Sequence, residues 1–178
     1  MGAQHMNPIE DDAWLSRSYY GGVLPAAAER ELHCAARAYL DDARAELHLR
    51  RALAIAPDEI LVHLGLYKFY FYKGRLAEAI EVAQNCLRMS AEELGLALDW
   101  RRVSPGDAPF DSFDDARARF YLFVLKAYGY LQLRLGQYDD GRSVLNKITE
   151  LDPGDRIQVK PLLDVFDRPD DYADDDDE

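Results

Sequence analysis

The side chains able to do covalent or metal chemistry are few and badly spaced for it. His33 and Cys34 are the one close His/Cys pair. Neighbours on a helix point about 100° apart, so the two cannot grip one metal ion without help. A core or groove role suits them better. Cys86 reads as a small core residue. His48 and His63 have no partner at ligand spacing. No glycine-rich phosphate loop, GxSxG elbow or HExxH helix occurs. Asp174 to Asp177 would attract divalent cations weakly, but the Gly and Glu of a calcium loop are missing. The sequence therefore predicts no cofactor, no metal site and no enzyme. Side chains suited to holding a partner remain: Arg, Lys and many aromatics.

Composition narrows the partner. The 178 residues are 48% hydrophobic and carry a formal charge of −12. Such a chain is globular, and its charge argues against nucleic acid and against an anionic membrane surface. The charge is uneven: residues 167–178 contain eight acids and one Arg. No apolar run approaches the roughly 20 residues that span a bilayer. No signal-peptide layout is seen, and two cysteines without a CxxC fit a reducing cytoplasm. Residues 1–6 read as a cloning remnant, and 7–24 as an arm in which Trp14-Leu15 tucks onto the domain.

Helices must position the rest. Pro25 suits a first helical turn, and Ala-rich sequence then runs to Tyr39. Asp41 or Asp42 caps a second helix that ends near Ala56-Pro57. Asp58 caps a third, which stops at Lys73-Gly74. A fourth runs from Leu76 to about Met89 with helical apolar spacing. Residues 98–112 read as a loop. Asp111 or Ser112 caps a long helix to Leu135-Gly136, with Asp114 and Asp115 in its first turn. Tyr138 to Leu151 follows, then an amphipathic piece that Pro161 starts or kinks. The Asp-rich stretch 168–178 repels itself and is expected to be disordered.

Helix, tight turn, helix recurs with a period of 34 residues from Pro57 to Ala91, and Gly74 and Gly136 occupy equivalent turns. The units are about 26–59, 60–93 and 122–155, with an insertion over 94–121 and a cap over 155–167. Leu66, Tyr70, Gly74, Ala79 and Leu87 in the second unit resemble the tetratricopeptide repeat pattern. So do Gly129, Gly136, Tyr138 and Leu151-Asp152-Pro153 in the third. In the first, Leu32, Ala45, Ala52-Leu53 and Ala56-Pro57 match. Departures are His33 and Tyr67 at the small position of the first helix, Gln132 for an aromatic and Gly141 for Ala. The resemblance covers residues 26–155. It implies an all-α right-handed superhelix, an α-α solenoid of about seven helices with a C-terminal capping helix.

It also implies a concave groove lined by the first helix of each pair. The positions carried over are Arg30, Glu31, Cys34 and Arg37; Leu64, Lys68, Phe71 and Tyr72; and Lys126, Tyr130, Leu133 and Arg134. Five bases against one acid, among aromatics, suit an acidic or carboxylate-bearing peptide. The plainer alternative is that these charges only solvate an exposed face. The tail Asp174–Glu178 either docks into that groove or serves as a solubilising segment. Trp100-Arg101-Arg102 either plugs the gap left by the insertion or forms a second contact surface.

The implied function is a non-enzymatic protein-protein interaction module with a protein or peptide partner. A dedicated chaperone of a secreted or assembly client is the alternative, by architectural similarity to small chaperones of bacterial secretion systems. Residues 67–74, Tyr-Lys-Phe-Tyr-Phe-Tyr-Lys-Gly, are also similar to small tetratricopeptide proteins beside bacterial nitrogen-fixation genes. The oligomeric state stays open, with a homodimer among the options.

Overall fold

The computed structural model describes residues 24–112 and 114–167. The expected arm before Leu24 and the acidic stretch after Asp167 lie outside them. The described residues form seven α-helices and no strand: α1 (Ala26–Arg37), α2 (Asp42–Ile55), α3 (Ile60–Tyr72), α4 (Leu76–Leu94), α5 (Ala116–Arg134), α6 (Tyr138–Leu151) and α7 (Lys160–Asp167). They pack as consecutive hairpins: α1 on α2, α3 on α4, and α5 on α6. Contacts of α2 with α3 and of α4 with α5 join the hairpins, and α7 leans on α6.

Local chemistry explains most ends. Pro25 precedes α1, and its carbonyl accepts from Glu29 N at 3.0 Å. Asp41 caps α2 by accepting from Arg44 N at 3.1 Å. Gly74 (φ 71°) and Gly136 (φ 79°) make the α3–α4 and α5–α6 turns in a left-handed conformation that favours glycine. Pro161 sits within the first turn of α7, where its missing N–H costs nothing.

Four ends differ from expectation. α1 stops at Arg37, short of Tyr39, because Ala38 to Leu40 form the turn. Asp58 does not cap α3: Glu59 holds that position without a side-chain bond. His63 Nε2 lies 2.6 Å from the Pro57 carbonyl, so it donates there and clamps the α2–α3 turn. α4 continues past Met89 to Leu94, because Ser90 and Ala91 are fully covered, and it ends at Gly95 (φ 69°). Asp115, not Asp111 or Ser112, caps α5, accepting from Arg117 N and Ala118 N. Ser112 Oγ instead accepts from Asp114 N.

The segment between α4 and α5 is more than a loop. Trp100 to Arg102 make a short 3-10 turn, and Leu96, Trp100, Val103 and Phe110 are buried in the main core. Trp100 is 7% exposed, so it fills space inside the solenoid, while Arg101 stacks over its ring at 4.3 Å. The connector from α6 to α7 is also tied down. Ile157 and Val159 are buried, and Ile157 N donates to Asp152 Oδ2 at 3.1 Å. No helix among the described residues is long and apolar enough to cross a membrane.

Candidate peptide-binding face

A side-chain gap lies between α1 and α3. A pocket of about 480 Å³ opens there, lined by Leu32, Ala35, Ala36, Tyr39, Leu49, Gly65, Lys68, Phe69 and Tyr72. That volume falls in the range of ligand-holding clefts. Sequence dictates the hollow. Gly65 stands mid-helix where any side chain would fill it: a Cβ there would lie 3.3 Å from Leu32 Cδ2 and 3.4 Å from Leu49 Cδ2. Ala35 and Ala36 are small on the facing helix. Leu49, Phe69 and Ala35 form a buried floor, while Tyr39 and Tyr72 stand half-exposed at the rim. Lys68 is the one charged residue in the lining.

Polar contacts hold the rim in place. Lys73 Nζ lies 4.1 Å from the Tyr39 ring centroid, donates to the Tyr39 carbonyl at 2.9 Å and pairs with Asp42 at 2.7 Å. Beside it, Arg75 and Tyr70 both donate to Glu46 on α2. The Arg75 guanidinium, with help from Arg50 and Tyr70, holds the Glu46 carboxyl down at about 2 and outweighs the upward push of burial. The turn end of the seam between the first two hairpins is thus an ionic lock. Its opposite end is apolar: Ala28, Ala52, Ala56 and Val62 cluster there beneath Leu24.

Among the expected groove residues, the structure assembles some and separates others. Lys68 and Tyr72 line the pocket. Phe71 packs edge-on against Tyr72 at 5.8 Å and lies 6.2 Å from the Tyr130 ring. Arg134 then stacks over Tyr130 at 5.8 Å and donates to its hydroxyl at 3.0 Å. These residues carry one surface from the pocket across α3 to α5. Arg30 and Arg37 are exposed on α1, and Cys34 is half-buried. Leu64, Lys126 and Leu133 are buried instead of groove-facing. Lys126 is drawn inward because the α6–α7 connector passes over it, and its Nζ donates to the Ile157 carbonyl at 2.6 Å. Glu31 turns toward α2, where its carboxylate meets His48 Nδ1 at 2.7 Å.

Sequence reasoning missed Leu32, Ala35, Ala36, Tyr39, Leu49, Gly65 and Phe69 as pocket residues. Gly65 was the available signal. A lone glycine inside an apolar helix costs about 1 kcal/mol against Ala, so it marks a place where bulk is excluded. The free thiols are Cys34 and Cys86. Burial pushes the Cys86 thiol up to about 12, which makes it inert. No cluster of His, Cys, Asp or Glu among the described residues could hold a metal ion.

A comparison with known proteins bears on the third hairpin. A tetratricopeptide repeat model matches residues 127–155, which span the C-terminal part of α5 and all of α6. The chain is also 37% identical over 123 residues to an uncharacterized 19.8 kDa protein in the nifW 5′ region of Azotobacter chroococcum mcd 1. That alignment covers 68% of this chain and 69% of the relative. The chain belongs to the tetratricopeptide repeat family. Such repeats generally serve as interaction modules without catalytic activity of their own. No solved structure matches this tetratricopeptide repeat protein.

Proposed function

We propose that this protein is an interaction module whose partner lays an acidic peptide segment along the first helices of the hairpins. The observation that carries this reading is the pocket between α1 and α3, apolar on its floor and with Lys68 as its charged lining residue. An apolar side chain would anchor in the pocket. Neighbouring carboxylates would meet Lys68, Arg37 and Arg134, and the Phe71, Tyr72 and Tyr130 rings would cover apolar backbone stretches. On a chain of charge −12, basic side chains beside an apolar hollow select a partner by charge as well as by shape.

Charge reversal at Arg37, Lys68 and Arg134 tests it. Partner capture in pull-downs from the native host should be lost while circular dichroism and melting stay unchanged. Capture at full strength by the triple variant would refute the acidic-peptide reading.

The relative's position in the nifW 5′ region favours a second, narrower reading: an accessory or chaperone role for a client made during nitrogen fixation. Deleting the gene should then slow growth on dinitrogen and leave growth on ammonium unchanged. Equal growth of the deletion strain on both would reject it.

A further inference from the structure

We propose that the resting occupant of the α1–α3 pocket is this chain's own N-terminal segment, with Trp14 and Leu15 as anchors. This regulates the site described above, and so rests on that reading of the pocket as a binding site. Chain length and position make the segment available. Leu24 lies over the apolar end of the seam, against the cluster of Ala28, Ala52, Ala56 and Val62. The pocket begins at Leu32, one to two turns into α1, and ends at Tyr39. From the start of α1 to Tyr39 is about 20 Å at 1.5 Å per residue. The nine residues from Leu24 back to Leu15 reach up to about 30 Å when extended. A segment turning back at Gly21-Gly22 therefore has enough chain to run beside α1 and arrive over the hollow.

Chemistry selects this segment over the other end of the chain. Trp14 and Leu15 follow Glu10-Asp11-Asp12, so a large apolar anchor sits two residues from a carboxylate. The pocket presents the matching pair, an apolar floor with Lys68 in its wall. Residues 168–178 have acids but only Tyr172 as a large apolar side chain. They also leave from α7, which packs on α6 at the far end of the stack. Tethering makes even weak docking effective, because a segment on a short tether is held at about millimolar concentration. A partner must then displace the segment, which sets a threshold for capture.

Tryptophan emission tests this on the full chain without any partner. The protein has two tryptophans, and Trp100 is buried and distant in sequence from the arm. Subtracting the spectrum of Trp14→Phe from that of the native chain isolates Trp14. Its emission should be blue-shifted and shielded from acrylamide. Ala36→Glu, on an exposed position of the pocket rim, and Gly65→Leu, which fills the hollow from its wall, should each move it to the position seen in denaturant. A synthetic peptide of residues 8–20 should bind the full-length Trp14→Ala variant at least tenfold more tightly than the native chain. A Trp14 signal already solvent-like in the native protein, or unmoved by both pocket variants, overturns the proposal. So does a blue shift that vanishes on dilution, which would put the segment in the pocket of a second copy, and so does a shift abolished by removing residues 168–178. If the arm proves free while the Arg37, Lys68 and Arg134 reversal still abolishes capture, this inference falls and the acidic-peptide reading stands.

Discussion

Glu46 shows how one carboxylate can hold a seam. It accepts from Arg75 across the hairpins, from Arg50 within α2 and from the Tyr70 hydroxyl at 3.1 Å. Its folded-state pKa of about 2 lies below the ordinary 4.5. A depressed carboxylate contributes its stability above the unfolded value and loses it as pH falls through the window from 4.5 toward 2. Urea midpoints measured across that window should therefore fall more steeply for the native chain than for Glu46→Gln. Parallel curves would show that the contact is too solvated to matter. Gly141 is a second informative residue. A Cβ there would lie 2.6 Å from Leu133 Cγ and 2.9 Å from the Gly129 carbonyl oxygen. The departure from Ala at this position is thus what lets α5 and α6 approach. Gly141→Ala should destabilise by about 1–3 kcal/mol despite the better helix propensity, as read from denaturant unfolding.

Helices with an apolar stripe and punctuated ends were legible in the sequence, and those buried on several sides were not. α6 interleaves polar residues with Val144, Leu145, Ile148 and Leu151, and both its bounds follow from periodicity and turn residues. α3 is different: Val62, Leu64, Leu66, Tyr67, Phe69 and Tyr70 are all buried, so no stripe distinguishes a groove side from a core side. Leu64 and Leu133 were misplaced for that reason, and the pocket stayed hidden because its walls come from three helices. Lys126 was misread because its environment is set by a connector some thirty residues later. In the same way, polar punctuation over 98–112 masked Val103 and Phe110, which join Trp100 in the main core. Truncating such a plug leaves a cavity: Trp100→Ala should cost about 3–5 kcal/mol in chemical unfolding. A loss below 1 kcal/mol would mean that the insertion packs only against itself.

Across the whole molecule the three hairpins are joined unequally. α4 and α5 share a long packed interface, reinforced by the inserted segment, where Lys147 Nζ donates to the Val103 carbonyl at 3.2 Å. The first hairpin meets the second differently, through an ionic lock at one end, an apolar cluster at the other and a hollow between them. Stability in such stacks is close to a sum of unit and neighbour terms, so the weaker seam sets the first opening. Amide exchange should reach α1 and α2 before α5 and α6, and acid should widen that gap as Glu46 takes up its proton. Uniform protection along the stack would contradict this order.

The hollow at that seam has a mechanical meaning as well. Whatever fills it touches both hairpins at once and must be expelled, or carried along, before they part. Ligand occupancy is then a splint across the joint, and grip and rigidity become one variable. The slowing of α1 and α2 exchange would report how tightly any segment is held, without a label on the guest.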